Sequence, residues 1–267
     1  MMSKQIAVGR SPLGAPVTLS LMDGFLCLVQ GFSKAGKTIL ANNILLELIK
    51  TWGPELQIAI ADPKKVGYMA FRPRCHVYPE ETQWLPLLDA LNNEMLRRYD
   101  HMASNGLSEY PITETDSFIL LVLDEMAAIT QNQRLLKKER DQFASLLTAY
   151  ANQCRQAAMG LMILCQSCDS SVMPTVVRSN CSTRFAMRTA GAEQVKMISG
   201  GREEECPCDL LTRPGEFFAL TSDTNGKWVR GRTWYTDSAT EHALIERYAA
   251  DKRTPYCLDW NNPEFTG

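Results

Sequence analysis

The sequence predicts an α/β protein with a mostly parallel central sheet flanked by helices, and two observations predict it. Short unbroken apolar runs alternate along the chain with segments whose apolar residues step by three and four, so buried strands interleave with one-faced helices. One of those runs, residues 25–30, leads directly into the glycine-framed stretch GFSKAGKT, after which an apolar-rich helical segment begins.

The elements follow in order. Residues 5–21 read as short strands broken by glycine and proline, a short N-terminal β segment. FLCLVQ (25–30) is a buried strand, residues 37–51 continue as a helix, and LQIAIAD (56–62) is a second strand stopped by Pro63. Trp84, Leu88, Leu91, Met95, Tyr99 and Met102 share one helical face. FILLVLDE (118–125) is six apolar residues ending in two acids, a run that suits a strand covered on both faces. Leu136 to Cys154 is helical by spacing, with Gly160 placed in the turn beyond its end, and LMILCQ (161–166) is a fourth buried strand. Further strands are expected at 184–188, 216–220 and 228–235, and a last helix near 240–250. The expected division is a β segment over 1–24, a nucleotide-binding core over 25–237, and a C-terminal helix and tail over 238–267.

With 267 residues, 45% hydrophobic and 22% charged, the chain is long enough for a full core and ordinary for a soluble protein. It holds no apolar run of membrane-spanning length, and no apolar stretch follows the charges of its first residues as in a signal peptide, so a cytoplasmic location is expected. The net charge of −2 announces no nucleic-acid partner at whole-chain level, yet a ring can line its channel with basic residues while its outside stays acidic. Nine cysteines are scattered, without the framework of a secreted disulfide protein. Cys165, Cys168, Cys206 and Cys208 have a spacing that could supply four thiolates to zinc, but without paired knuckles they read better as buried thiols.

The chemistry sits at strand ends. Gly31 and Gly36 frame Phe32, Ser33, Lys34 and Ala35, and Lys37 and Thr38 follow at once. Backbone N–H groups of 33–38, helped by the positive end of the helix, suit a phosphate; Lys37 would bridge the β- and γ-phosphates and Thr38 would ligate Mg²⁺. Asp124, ending a buried strand, suits Mg²⁺ held through water, and Glu125 is placed to polarise a water for in-line attack. Gln166 ends another strand, where its amide could bond the γ-phosphate or the water. Asp62 and Lys64, in ADPKK, stand at a fourth strand end, where an Asp-Pro turn is the plainer reading.

Those residues, with NEMLRRYDHMASNG, RQAAMGLMILCQS and VVRSNCSTRFAMRTA in the same order, resemble the motor domain of FtsK/SpoIIIE-type DNA translocases, in the FtsK–HerA group. The resemblance covers about residues 5–236. It implies a RecA-like P-loop NTPase core, ATP with Mg²⁺, and a ring, expected to be a hexamer, that hydrolyses ATP at its seams and moves double-stranded DNA. It also implies that the Gln166 strand lies between those carrying the phosphate loop and Asp124. Lys34 and Ala35 stand where the family usually has Gly and Ser, and CQSCDSS keeps Gln166 but lacks the family's Arg. With no membrane segment before the core and no DNA-reading domain after it, a membrane or DNA-processing partner protein is expected, as for a stand-alone motor of a mobile element (conjugation or phage-type) or in DNA segregation. Two alternatives stay open: a type VII-like protein-export motor, and a nucleotide-dependent assembly factor that moves nothing.

Arg98 lies on the same stripe as Trp84, Leu91, Met95 and Met102. A cation on a core-facing stripe needs an anion or must snorkel out. The resemblance offers a third reading, that this face emerges at a protomer seam and Arg98 reaches a neighbour's γ-phosphate, with Arg184 as second candidate. Arg72, Arg74, Lys137, Lys138 and Arg140 read as surface or loop charges.

Overall fold

The computed structural model describes residues 5–20 and 25–258; the ends of the expected first and last segments (1–4, 21–24 and 259–267) lie outside the described residues. In chain order the elements are β1 (Gln5–Arg10), β2 (Pro16–Ser20), β3 (Leu26–Gln30), α1 (Lys37–Trp52), β4 (Leu56–Ala61), β5 (His76–Tyr78), α2 (Glu81–Asn105), β6 (Phe118–Leu123), α3 (Met126–Thr130), α4 (Lys137–Gln153), β7 (Met159–Cys165), α5 (Thr175–Asn180), β8 (Thr183–Met187), α6 (Gly191–Ser199), β9 (Glu216–Leu220), β10 (Val229–Arg232) and α7 (Ser238–Arg247).

All ten strands form one sheet, in the order β2-β1-β10-β9-β8-β3-β7-β6-β4-β5. From β8 to β5 neighbours run parallel, whereas β9, β10, β1 and β2 add an antiparallel flank. The N-terminal β segment is therefore continuous with the central sheet, joined through β10. In β6 the side chains alternate between two buried layers: Ile119, Leu121 and Leu123 face the layer of α2 and α4, and Phe118, Leu120 and Val122 face that of α1. Both faces being covered is the reason β3, β4, β6 and β7 read as unbroken apolar runs. β7 lies between β3 and β6, as the resemblance implied.

Three local expectations are corrected. Gly160 is inside β7, not in the turn before it, because a Cβ there would come within 2.8 Å of the Phe118 ring and 2.9 Å of Phe25 O. The turn is made by residues 154–158, closed by Ala158 at φ 52°. Arg74 is fully buried rather than surface-placed, with its Nη2 donating to Gly53 O and Leu56 O at 2.7 Å. The helix expected from Trp84 begins at Glu81, where Glu80 and Gln83 close a capping box.

The chain after α7 is stitched to the far edge of the sheet. Gln57 donates to Asp251 O and accepts from Arg253 N–H, and the His76 ring Nε2 lies 2.8 Å from Arg253 O.

Candidate active site

The parallel strands all point their C-terminal ends the same way, which brings four loops to one edge. The loop after β3 is held from both sides: Gly31 N–H donates to Cys165 O, Phe32 N–H to Arg188 O, and Gly215 N–H to Ala35 O. Gly36 has φ 103°, and a Cβ on it would lie 2.8 Å from Gly215 N, so no other residue fits the bend that starts α1. Lys34 also turns left-handed, at φ 66°. That is the position where the family resemblance expects glycine, and the backbone explains the expectation. Among the described residues, no backbone acceptor takes the N–H groups of Ser33, Lys34 or Gly36. With the first turn of α1 they form a concave set of donors, the arrangement that binds phosphate.

Lys37 is buried and donates to Gly31 O (2.7 Å) and Phe32 O (3.0 Å), folded over the loop it is expected to serve. Burial lowers its pKa, and Glu125 offsets part of that. Asp124 is buried at the end of β6, where burial raises its pKa against the pull of Lys64. Its Oδ1 accepts Glu125 N–H at 2.9 Å. Glu125 itself has φ 48°, a left-handed conformation that is uncommon for a residue with a Cβ and costs free energy to hold. Its Oε2 accepts from Lys64 Nζ (2.9 Å) and Gln166 Nε2 (3.0 Å). Burial would raise the Glu125 pKa, but those two hydrogen bonds, with the charges of Lys64 and Lys37, bring it below the ordinary carboxylate value. The group therefore stays ionised at neutral pH and can accept a proton.

A cavity of about 310 Å³ is lined by Ser33 to Thr38 (Ala35 excepted), Lys64, Glu125 and Gln166. Ile39 and Pro214 also line a second, larger cavity of about 1160 Å³, which carries Arg213, Arg232, Trp234 and Tyr235. The charged groups that could act on phosphate converge on the smaller one. For Mg²⁺ the donor set fits: Thr38 and Asp124 are hard oxygen donors, and this ion needs only one or two from protein because it keeps waters and phosphate oxygens. No group of three His, Cys, Asp or Glu side chains suited to a metal occurs among the described residues. Cys165 and Cys168 are buried with sulfurs 3.3 Å apart, and Cys168 Sγ donates to Gln30 Oε1.

Two residues named from sequence are not brought here. Arg98 lies in the part of α2 that packs against the starts of β6 and β7, about 20 Å from Asp124 at roughly 3.3 Å per strand residue. It is buried and wholly engaged: Nε to Glu94 Oε1 (2.7 Å), Nη1 to Ala157 O and Ala158 O, and Nη2 to Ser117 O. Its guanidinium also covers the Tyr110 ring at 4.6 Å. The expectation that Arg98 emerges to reach a neighbour is thus overturned; Glu94, one turn earlier, is the anion the core-facing cation required. Arg184 is likewise tied down, donating to Cys181 O, Ile198 O and Arg178 O. What sequence reasoning missed is the bond from Lys64 to Glu125. The strand-end position of ADPKK pointed to this edge, but nothing in the sequence shows which way a flexible lysine turns.

No protein-family model matches the chain. The DNA translocase FtsK of Borreliella burgdorferi is 24% identical over 215 residues, which cover 74% of this chain and 27% of that protein. The chain thus corresponds to about a quarter of that relative. Among solved structures, the conjugation coupling protein TcpA, a monomer form with ATPγS, superposes with a TM-score of 0.77 at 17% identity, covering 93% of this chain and 70% of that one. The cytoplasmic domain of the Thermomonospora curvata type VII secretion ATPase EccC gives 0.76 at 18%, over 96% and 32%. The chain is similar in sequence to DNA translocases named FtsK and shares the RecA-like fold of these two structures. Among the described residues, no helix is long and apolar enough to cross a membrane.

Proposed function

We propose that this chain is an ATP-hydrolysing motor that moves double-stranded DNA through a ring of its own copies, expected to be a hexamer, in DNA transfer or segregation. The observation that carries the reading is the convergence of Lys37, Thr38, Glu125 and Gln166 on one cavity beside a row of backbone N–H groups. In this mechanism Lys37 exchanges the carbonyls of Gly31 and Phe32 for the β- and γ-phosphates of ATP. Glu125 orients a water and takes its proton as that water attacks the γ-phosphate, and Gln166 donates its amide to the water or the phosphate. Mg²⁺, held by Thr38 and Asp124, would neutralise charge on the phosphates. The larger neighbouring cavity leaves room for the nucleoside.

DNA as the moved polymer rests on similarity to translocases, an associational argument. The test is ATPase rate with and without linear duplex DNA, alongside a sizing measurement. Duplex should raise turnover, and affinity should fall steeply between about 50 and 200 mM salt as counterions are released. Stimulation by a peptide and none by DNA would move the reading to the export motor. Hydrolysis that neither polymer changes would favour the assembly factor. Glu125→Gln should keep ATP binding and lower turnover at least about a hundredfold; parent activity would show that Glu125 is not the base.

A further inference from the structure

Lys64 lies outside the phosphate loop, yet among the described residues its ammonium makes the shortest side-chain hydrogen bond to Glu125. One oxygen, Glu125 Oε2, accepts both from Lys64 Nζ at 2.9 Å and from Gln166 Nε2 at 3.0 Å. With Oε2 taken by two donors, one of them charged, the carboxylate is pinned in one orientation and only Oε1 is left to orient a water and take its proton.

The loop that carries Lys64 holds it in this position. Asp62 is fully buried; its Oδ2 accepts Tyr68 N–H and its carbonyl accepts Lys65 N–H. Tyr68 is fully buried as well, so both ends of the loop are anchored. Lys65 takes a left-handed turn (φ 63°) and sends its own ammonium to Glu80. Of two adjacent lysines, one is turned into the site and the other away from it. The Lys64 side chain is still 48% exposed, so it can leave Glu125 without any core contact breaking.

Building on the reading of Glu125 as the base, we infer that Lys64 is a positioning residue that restrains Glu125, so that hydrolysis is fast only when the ammonium has left the carboxylate. The competing anion is at hand: Lys64 lines the same cavity as Lys37 and Thr38, where a triphosphate would sit. Carboxylate and phosphate then compete for one ammonium, and the restraint is relieved only in part while nucleotide is bound.

The test is steady-state ATPase kinetics of the full chain without DNA. Lys64→Met should raise kcat about fivefold, the factor that corresponds to roughly 1 kcal/mol. KM for ATP should rise with it, because the same ammonium also serves the phosphates. Lys64→Arg, which keeps a cation on Glu125, should stay nearer the parent kcat than Lys64→Met. Lys65→Met, at a lysine turned toward Glu80, should leave kcat at the parent value and so controls for lost charge. An unchanged or lowered kcat in a Lys64→Met protein that melts like the parent would overturn the inference. Failure of the underlying reading looks different: Glu125→Gln, alone or combined with Lys64→Met, would then hydrolyse ATP at the parent rate.

Discussion

At the C-terminal ends of the strands, Lys64 and Gln166 share one oxygen of Glu125, beside an open cavity, and the lysine is half exposed. At the N-terminal ends, Arg98 is bonded to Glu94 and to three backbone carbonyls, with both side chains about 95% or more buried (3% and 5% exposed). Each end thus has a glutamate held by a cation, but only one pair can come apart at low cost. Water at the half-exposed ammonium screens the Lys64–Glu125 pair although Glu125 itself is buried, so a ligand that reaches the cavity can compete for it. The buried pair has given up its hydration, and removing one partner leaves the other uncompensated. Accessibility, not the identity of the charges, separates a working contact from a structural one.

The largest expected effect breaks the buried side of this comparison. Arg98→Ala leaves Glu94 with Arg97 alone and takes the guanidinium from the carbonyls of Ser117, Ala157 and Ala158, of which Ala158 O keeps Ile119 N–H, and should destabilise the fold by about 3–5 kcal/mol. Lys64→Met should cost less, because Gln166 still donates to Glu125 and the lysine it removes is half exposed. Denaturant unfolding of the two variants side by side measures the contrast. An Arg98→Ala protein as stable as the parent yet inactive would restore the sequence-based idea of a residue acting on a neighbour's phosphate.

That idea failed for a reason the sequence could not reveal. A helical stripe states that Arg98 faces inward; it does not state which end of the sheet it meets or that Glu94, one turn away, is its partner. The phosphate loop, Asp124, Glu125 and Gln166 were legible because each follows an unbroken apolar run, and such runs in a parallel sheet deliver their ends to one edge. Arg74 looked like a loop charge because the carbonyls that receive it, Gly53 and Leu56, belong to a distant turn. β5 is three residues long and α6 nine, too short for a period to stand out. Gly160 suggested a turn, since only the packed ring of Phe118 shows why a strand needs glycine there.

Acid should sharpen the contrast next. His76, at the start of β5, is mostly buried and offers Nε2 to Arg253 O, an acceptor that requires this nitrogen to carry the hydrogen. Burial holds its pKa down, from 6.5 to about 4, against the raising effect of that hydrogen bond. The unfolded chain takes up the proton first. The stability His76 contributes is therefore complete above pH 6.5 and is lost as pH falls toward 4, amounting to roughly 3 kcal/mol across the window. Glu94 adds a second loss lower down: burial opposes its ionisation, but the bonds from Arg97 and Arg98 hold its pKa below 4.5, so its stability is present above that value and disappears as it protonates. Thermal unfolding from pH 7 to 5 should show a decline that His76→Gln, which keeps a donor but cannot titrate, removes. An equal decline in the variant would assign it to other groups.

The smallest effect tests strain at the nucleotide end. Five described non-glycine residues have positive φ, and three of them, Lys34, Lys65 and Glu125, surround the phosphate edge. Glu125 and Lys65 carry side chains that hold partners there, so their strain is tied to contacts. The exposed Lys34 has no side-chain bond among the described residues, and its φ of 66° is free for glycine but costs about 1–2 kcal/mol for an L-residue with a Cβ. Glycine gives back part of that gain, about 0.4–1 kcal/mol, because it loosens the unfolded chain. Lys34→Gly should therefore stabilise the fold by no more than about 1.5 kcal/mol, read as a small rise in denaturant midpoint at constant slope. The gain should be confined to this residue: Glu125→Gly, at a similar backbone angle, removes the carboxylate that Lys64 and Gln166 both hold and should show no comparable rise. A lowered midpoint for Lys34→Gly would mean that the lysine side chain stabilises the loop by more than its backbone strain, and that the phosphate edge is less strained than its dihedral angles suggest.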